Sequence, residues 1–117
     1  MQGSFYRFYV RENQRIHEQS AWEWLLEHAS TLGFRGGSAF RAIGGFGRHP
    51  HLDEALSFEY TGAPTVVVEF IVTDEEAQRL LGLLDREKLQ FFYMRVPAQL
   101  GVSNPSAAES ATAMSSV

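Results

Sequence analysis

Three glycines stand at 44, 45 and 47 within SAFRAIGGFGRHP, the stretch Ser38–Pro50, and Arg48, His49 and His51 follow at once. Backbone without side chains lets a ligand or another chain approach closely. A guanidinium beside it can hold an anion through a fixed, forked set of donors. Gly44, Gly45, Gly47 and Arg48 are therefore candidate ligand-binding residues, with Arg35 and Arg41 as further cations able to grip a phosphate bidentately. Arg48 is the better anion candidate, because Arg41 is expected to form a structural pair at an interface. The run is neither a P-loop nor a Gly-x-Gly-x-x-Gly fingerprint. His49 and His51, followed by Asp53 and Glu54, could chelate a divalent transition metal. The same histidines with Glu54 or Glu59 could instead serve as acid and base. Two histidines in a polar loop read first as solvated, and no nucleophile elbow or metal motif is present. A binding module without catalysis is the expectation.

The composition narrows what could bind. A chain of 117 residues has the length of one domain with one modest core. An apolar fraction of 44% with 13% aromatics is that of a globular protein. The net charge of −4 argues against duplex nucleic acid as a partner. Nine arginines against one lysine suit paired, partly buried cations, although an arginine-biased codon usage explains the count equally well. The lack of cysteine excludes disulfides, zinc–thiolate sites and cysteine nucleophiles. No basic region followed by an apolar run opens the chain, and no apolar run approaches ~20 residues, so a cytoplasmic protein is expected.

Those candidate residues must be positioned by strands and helices. Ser4–Arg11 alternates and is rich in aromatics, which predicts a strand. Ser20 with Glu23 reads as a capping box opening a helix that Gly33 closes. A second strand starts at Ser38, and His49–Gly62 reads as an extended loop in which Leu56, Phe58 and Tyr60 alternate. Thr65–Val72 is the strongest strand. Thr73 with Glu76 opens a second helix, and Gln90–Val96 is a last strand stopped by Pro97. The order β-α-β-β-α-β is the α+β, ferredoxin-like split βαβ, with a four-stranded antiparallel sheet and two helices on one face. Residues 1–102 make this domain. The tail at 103–117 has too little apolar surface to order itself and is expected to be disordered.

Parity then divides the sheet into two faces. Tyr6, Phe8, Val10, Phe40 and Ala42 belong under the helices by this reading, as do Val66, Val68, Phe70, Phe92, Met94 and Val96. The opposite face receives Phe5, Arg7, Tyr9, Arg41 and Ile43, with Val67, Glu69, Ile71, Phe91, Tyr93 and Arg95. Seven of those eleven are apolar or aromatic, too many to leave in water as one patch. A homo-oligomer built on this face is inferred, its charges pairing across subunits. Phe5, Arg7, Tyr9, Glu69, Tyr93 and Arg95 are the interface candidates.

Several motifs then become familiar together: RFYVRE at Arg7–Glu12, EWLLEHA at Glu23–Ala29, LGFRGGSAFRAIGGFGRH at Leu32–His49, VVVEFIVTDEEA at Val66–Ala77 and FYMRVP at Phe92–Pro97. The chain closely resembles family 190 among the domains of unknown function, grouped with PII-like proteins, over about residues 1–102. The resemblance implies a PII-like homotrimer with sheets facing inward and small ligands, commonly an adenine nucleotide, in the clefts between subunits. It implies a signalling or regulatory role in which the loop at 49–62 is the mobile effector segment, and membrane transport as the regulated process. The alternatives are a divalent-metal-binding trimer and a small enzyme using His49 or His51.

Overall fold

A computed structural model describes residues 1–48, 56–58 and 64–104, with 47, 48 and 56–58 described by backbone alone. The first strand, β1 (Gln2–Arg11), leads through a small hairpin, β2 (Arg15–Ile16) and β3 (Gln19–Ser20), into α1 (Ala21–Thr31). Next come β4 (Gly37–Arg41), β5 (Phe46–Arg48), β6 (Leu56–Phe58) and the long β7 (Thr65–Thr73). Helix α2 (Asp74–Arg86) and β8 (Phe92–Gln99) complete the fold. The main sheet runs β4-β7-β1-β8 with every neighbour antiparallel. This is the expected ferredoxin-like arrangement, with both helices packed on β1 and β7.

The core sits between the helices and one face of the central strands. Tyr6, Phe8, Val68 and Val72 have no solvent exposure at all, and Trp24, Leu25, Ala77 and Leu80 close over them. Phe8 meets Phe70 edge to face, and Phe34 meets Phe70 in the same way. Burying each such ring is worth roughly 1.5–3 kcal/mol.

The helix ends show which local signals suffice. At α2 the expected capping box is complete: the Glu76 amide donates to Thr73 Oγ1 at 3.2 Å, and the Thr73 amide donates to Glu76 Oε1 at 2.8 Å. At α1 the box does not form, and Ser20 makes no side-chain cap. Ser20 is held instead in the small hairpin opposite Arg15, and the Ala21 amide is already satisfied by the Gln14 carbonyl at 2.8 Å. Gly33 closes α1 at φ +90, with the Phe34 amide donating back to the Ala29 carbonyl. Lys88 takes the same left-handed place after α2, at φ 55.

The two edge strands correct the parity reading. On β4, Ala39 lies opposite the buried Val68, and Arg41 opposite Val66. Phe40 therefore points to the open face, where it is 54% exposed. Gly37 sets this phase, since a Cβ there would lie 2.6 Å from the Phe70 ring and 3.2 Å from Leu26 of α1. On β8, Tyr93 lies opposite Phe8 and Arg95 opposite Tyr6, both on the helix side. Phe92, Met94 and Val96 take the open face, opposite Tyr9, Arg7 and Phe5. The strand also continues through Pro97, which an edge strand tolerates because its missing donor faces away from β1.

Candidate functional site

The glycine run leaves the sheet at one end. Ala42 still donates to the Thr65 carbonyl at 2.8 Å, after which residues 43–45 turn freely before β5. β5 and β6 pair in register, Phe46 with Phe58 and Arg48 with Leu56, so a short hairpin forms the root of the predicted effector loop. Ile43 is fully exposed and Phe46 largely so. The sequence reading places Ile43 on the open sheet face, but it lies past the end of β4 at Arg41, and Phe46 beyond the glycines escapes that reading.

Gly44 differs from Gly3 and Gly37, and resembles Gly101, in the space around it. A Cβ on Gly3 would lie 2.2 Å from the Val72 carbonyl oxygen, and one on Gly37 would strike the Phe70 ring. A Cβ on Gly44 would meet nothing within 4 Å, and its φ is not left-handed. Among the described residues, neither packing nor backbone conformation requires glycine at 44. The Arg48 backbone lies in β5 beside this turn. Its side chain, together with His49, His51, Asp53, Glu54 and Glu59, lies outside the described side chains. Among the described residues no group of three acidic or histidine side chains could hold a metal ion.

The other two arginines of the candidate set go elsewhere. Arg41 pairs with Glu12 through its Nε, inside one chain and on the helix side of the sheet. Arg35 lies before β4 and donates to Met1 Sδ at 3.9 Å. It lines a cleft of about 420 Å³ with Arg79, Thr73, Asp74 and Glu75. That cleft opens at the Thr73 end of β7, whereas Gly44 follows the strand end at Thr65, eight residues and roughly 26 Å away. Arg35 and the glycine run are thus not brought together within one chain.

The interface candidates also divide. Phe5, Arg7, Tyr9 and Glu69 lie on the uncovered face, with Tyr9 and Phe92 ring centroids 5.5 Å apart. Phe40, Ile71, Phe92, Met94 and Val96 on that face are between 38% and 69% exposed. The Arg7–Glu69 ion pair forms within one chain, not across subunits: Nε and Nη2 both donate to Oε2, at 2.9 and 2.5 Å. Hydrogen bonding to Tyr9 and to Glu69 holds the Arg7 guanidinium above its ordinary value. Tyr93 and Arg95, on the other face, join a cluster around Tyr6. Arg95 donates to Ser4 Oγ at 2.9 Å, approaches Asp74 at 3.7 Å and lies over the Tyr6 ring. The Tyr6 hydroxyl is buried with no hydrogen-bond partner among the described residues, and burial pushes its pKa up.

Comparisons with known proteins agree on family and fold. The family model described as Uncharacterized ACR, domain of unknown function 190, matches residues 3–90. The UPF0166 protein of Aquifex aeolicus (strain VF5) is 28% identical over 96 residues, covering 75% of this chain and 91% of that protein. Among solved structures, a protein of Thermus thermophilus described as PII-like and signaling superposes with a TM-score of 0.56 at 17% identity. That match covers 85% of this chain and 88% of the other. CPII, a nitrogen regulatory PII-like protein of Thiomonas intermedia bound to ADP, AMP and bicarbonate, gives 0.62 at 12% identity. It covers 87% of this chain and 91% of that one.

Proposed function

This chain belongs to domain-of-unknown-function family 190 and has a PII-like fold, and from that premise we propose that it is a regulatory protein reading a small anionic ligand. The ligand class is an adenine nucleotide, received against Gly44, Gly45 and Gly47 with Arg48 holding its phosphate. Copies of the chain associate as a homotrimer through the uncovered sheet face, and each cleft between subunits completes one binding site. Arg35 and Arg41 then contribute only from a neighbouring copy or not at all, since one is remote and the other is already paired. The loop at 49–62 carries the signal to a membrane transport protein, the process that the family resemblance implies.

The observation that carries the ligand reading is Gly44, where side-chain space stands open and no constraint among the described residues asks for glycine. CPII, bound to ADP, AMP and bicarbonate, shows that a protein of similar fold takes such ligands. The test is a thermal-shift panel of ATP, ADP, AMP and bicarbonate, run beside a solution mass measurement. An adenine nucleotide should raise the melting temperature of the wild type and not of Arg48→Ala, by the mass-action rule that a ligand binding only the folded state stabilises it. A panel that shifts neither protein removes the nucleotide.

A further inference from the structure

The uncovered sheet face is not uniformly apolar: by register it carries Arg7, Arg11 and Glu69. The ion pair Arg7–Glu69 stands near the centre, between Phe5 and Tyr9 along β1 and between Val67 and Ile71 along β7. Met94 of β8 lies opposite Arg7 on one side, and Ser38 of β4 lies opposite Glu69 on the other. We infer that this pair is the specificity element of a self-association face, fixing the register in which copies of this chain meet. The inference rests on the proposal above that copies associate there.

Near the centre of the face the charges of Arg7 and Glu69 cancel within hydrogen-bond distance. Around that pair the exposed residues are aliphatic and aromatic, which fits a second face of the same kind. Apolar contact alone is tolerant of sliding, because any register buries similar area. A charge pair is not tolerant: both ions lose water when the face is covered, and a misplaced partner leaves them without compensation. The geometry supports such a role, since both Arg7 donors converge on Oε2 and leave Glu69 Oε1 with no partner among the described residues. That oxygen is an acceptor for a donor of a neighbouring copy in the correct register.

Native mass spectrometry and light scattering at micromolar concentration test this on four proteins. The wild type should give one discrete oligomer. Arg7→Met with Glu69→Leu should still associate but spread into two or more stoichiometries. Arg7→Glu with Glu69→Arg, which restores a neutral pair, should return the single wild-type mass. Glu69→Gln, nearly the same shape, should raise the dissociation concentration by about tenfold or more, because it leaves a covered guanidinium uncompensated. A single wild-type mass from the apolar double variant overturns the inference, as does unchanged dissociation of Glu69→Gln. A monomeric wild type instead removes the association reading itself, and this inference with it.

Discussion

The two faces of this sheet are furnished with similar residues and meet opposite ends. Under the helices, Tyr6, Phe8, Val68 and Phe70 are almost wholly shielded. On the other face Phe40, Ile71, Phe92, Met94 and Val96 remain open, around an ion pair that closes on itself. Both faces were written for burial, and only one is buried by the chain's own helices. A lone antiparallel sheet normally shows polar residues on its second face, and the departure here is what the proposed association of copies would cover.

The sharpest way to break that comparison is to truncate one ring on each face. Phe8→Ala should cost about 3–5 kcal/mol in chemical denaturation, as large cavities in a core do. Phe92→Ala should leave the fold within about 0.5 kcal/mol, as exposed positions allow, while weakening the oligomer. Equal losses of fold stability would mean that the two faces are not distinct.

A smaller effect separates the glycines. Gly37→Ala should destabilise by about 1–3 kcal/mol, because its Cβ meets the buried Phe70 ring. Gly44→Ala should leave stability within about 0.5 kcal/mol and reduce the thermal shift given by nucleotide. A destabilised Gly44→Ala would return the glycine run to a structural role.

The smallest effect lies inside the covered face. Tyr6→Phe removes a buried hydroxyl that lies near Arg95 but meets no hydrogen-bond geometry among the described residues, and should stabilise by about 1 kcal/mol at neutral pH. Its folded pKa is raised from 10.0, so the stability its neutral form contributes is fully present below that pH. It is lost as pH rises through the higher folded value. Denaturation measured across that range should show a flatter alkaline limb for the variant, and a variant less stable than wild type would point to a partner for the hydroxyl.

Unlike the hairpins β2–β3 and β5–β6, the order of the main-sheet strands and the two helices, the Thr73 cap and the alternation of β1 and β7 were legible in the residues. Each is a local matter: a hydroxyl and a carboxylate three residues apart, or a strand whose two parities differ in kind. The α1 cap was misread because Ser20 is occupied by the hairpin with Arg15, a pairing that no capping pattern announces. The candidate site was legible only as a motif. Proximity of Arg35 to the glycine run could not be judged until the strands placed them at opposite ends of β7.

The sequence alone determined the β-α-β-β-α-β plan and the facing of β1 and β7, because their charged residues, Arg7 and Arg11 in one and Glu69 in the other, all fall on one parity. Tertiary structure decided the edges. Gln-Phe-Phe-Tyr-Met-Arg-Val at Gln90–Val96 is apolar on both parities, so period 2 carries no information there. Pairing with β1 turned Tyr93 and Arg95 toward Tyr6, and the close seat of Gly37 on Phe70 turned Phe40 outward. A one-residue shift moves every side chain to the other face, and for an edge strand only its neighbour in space can say which face that is.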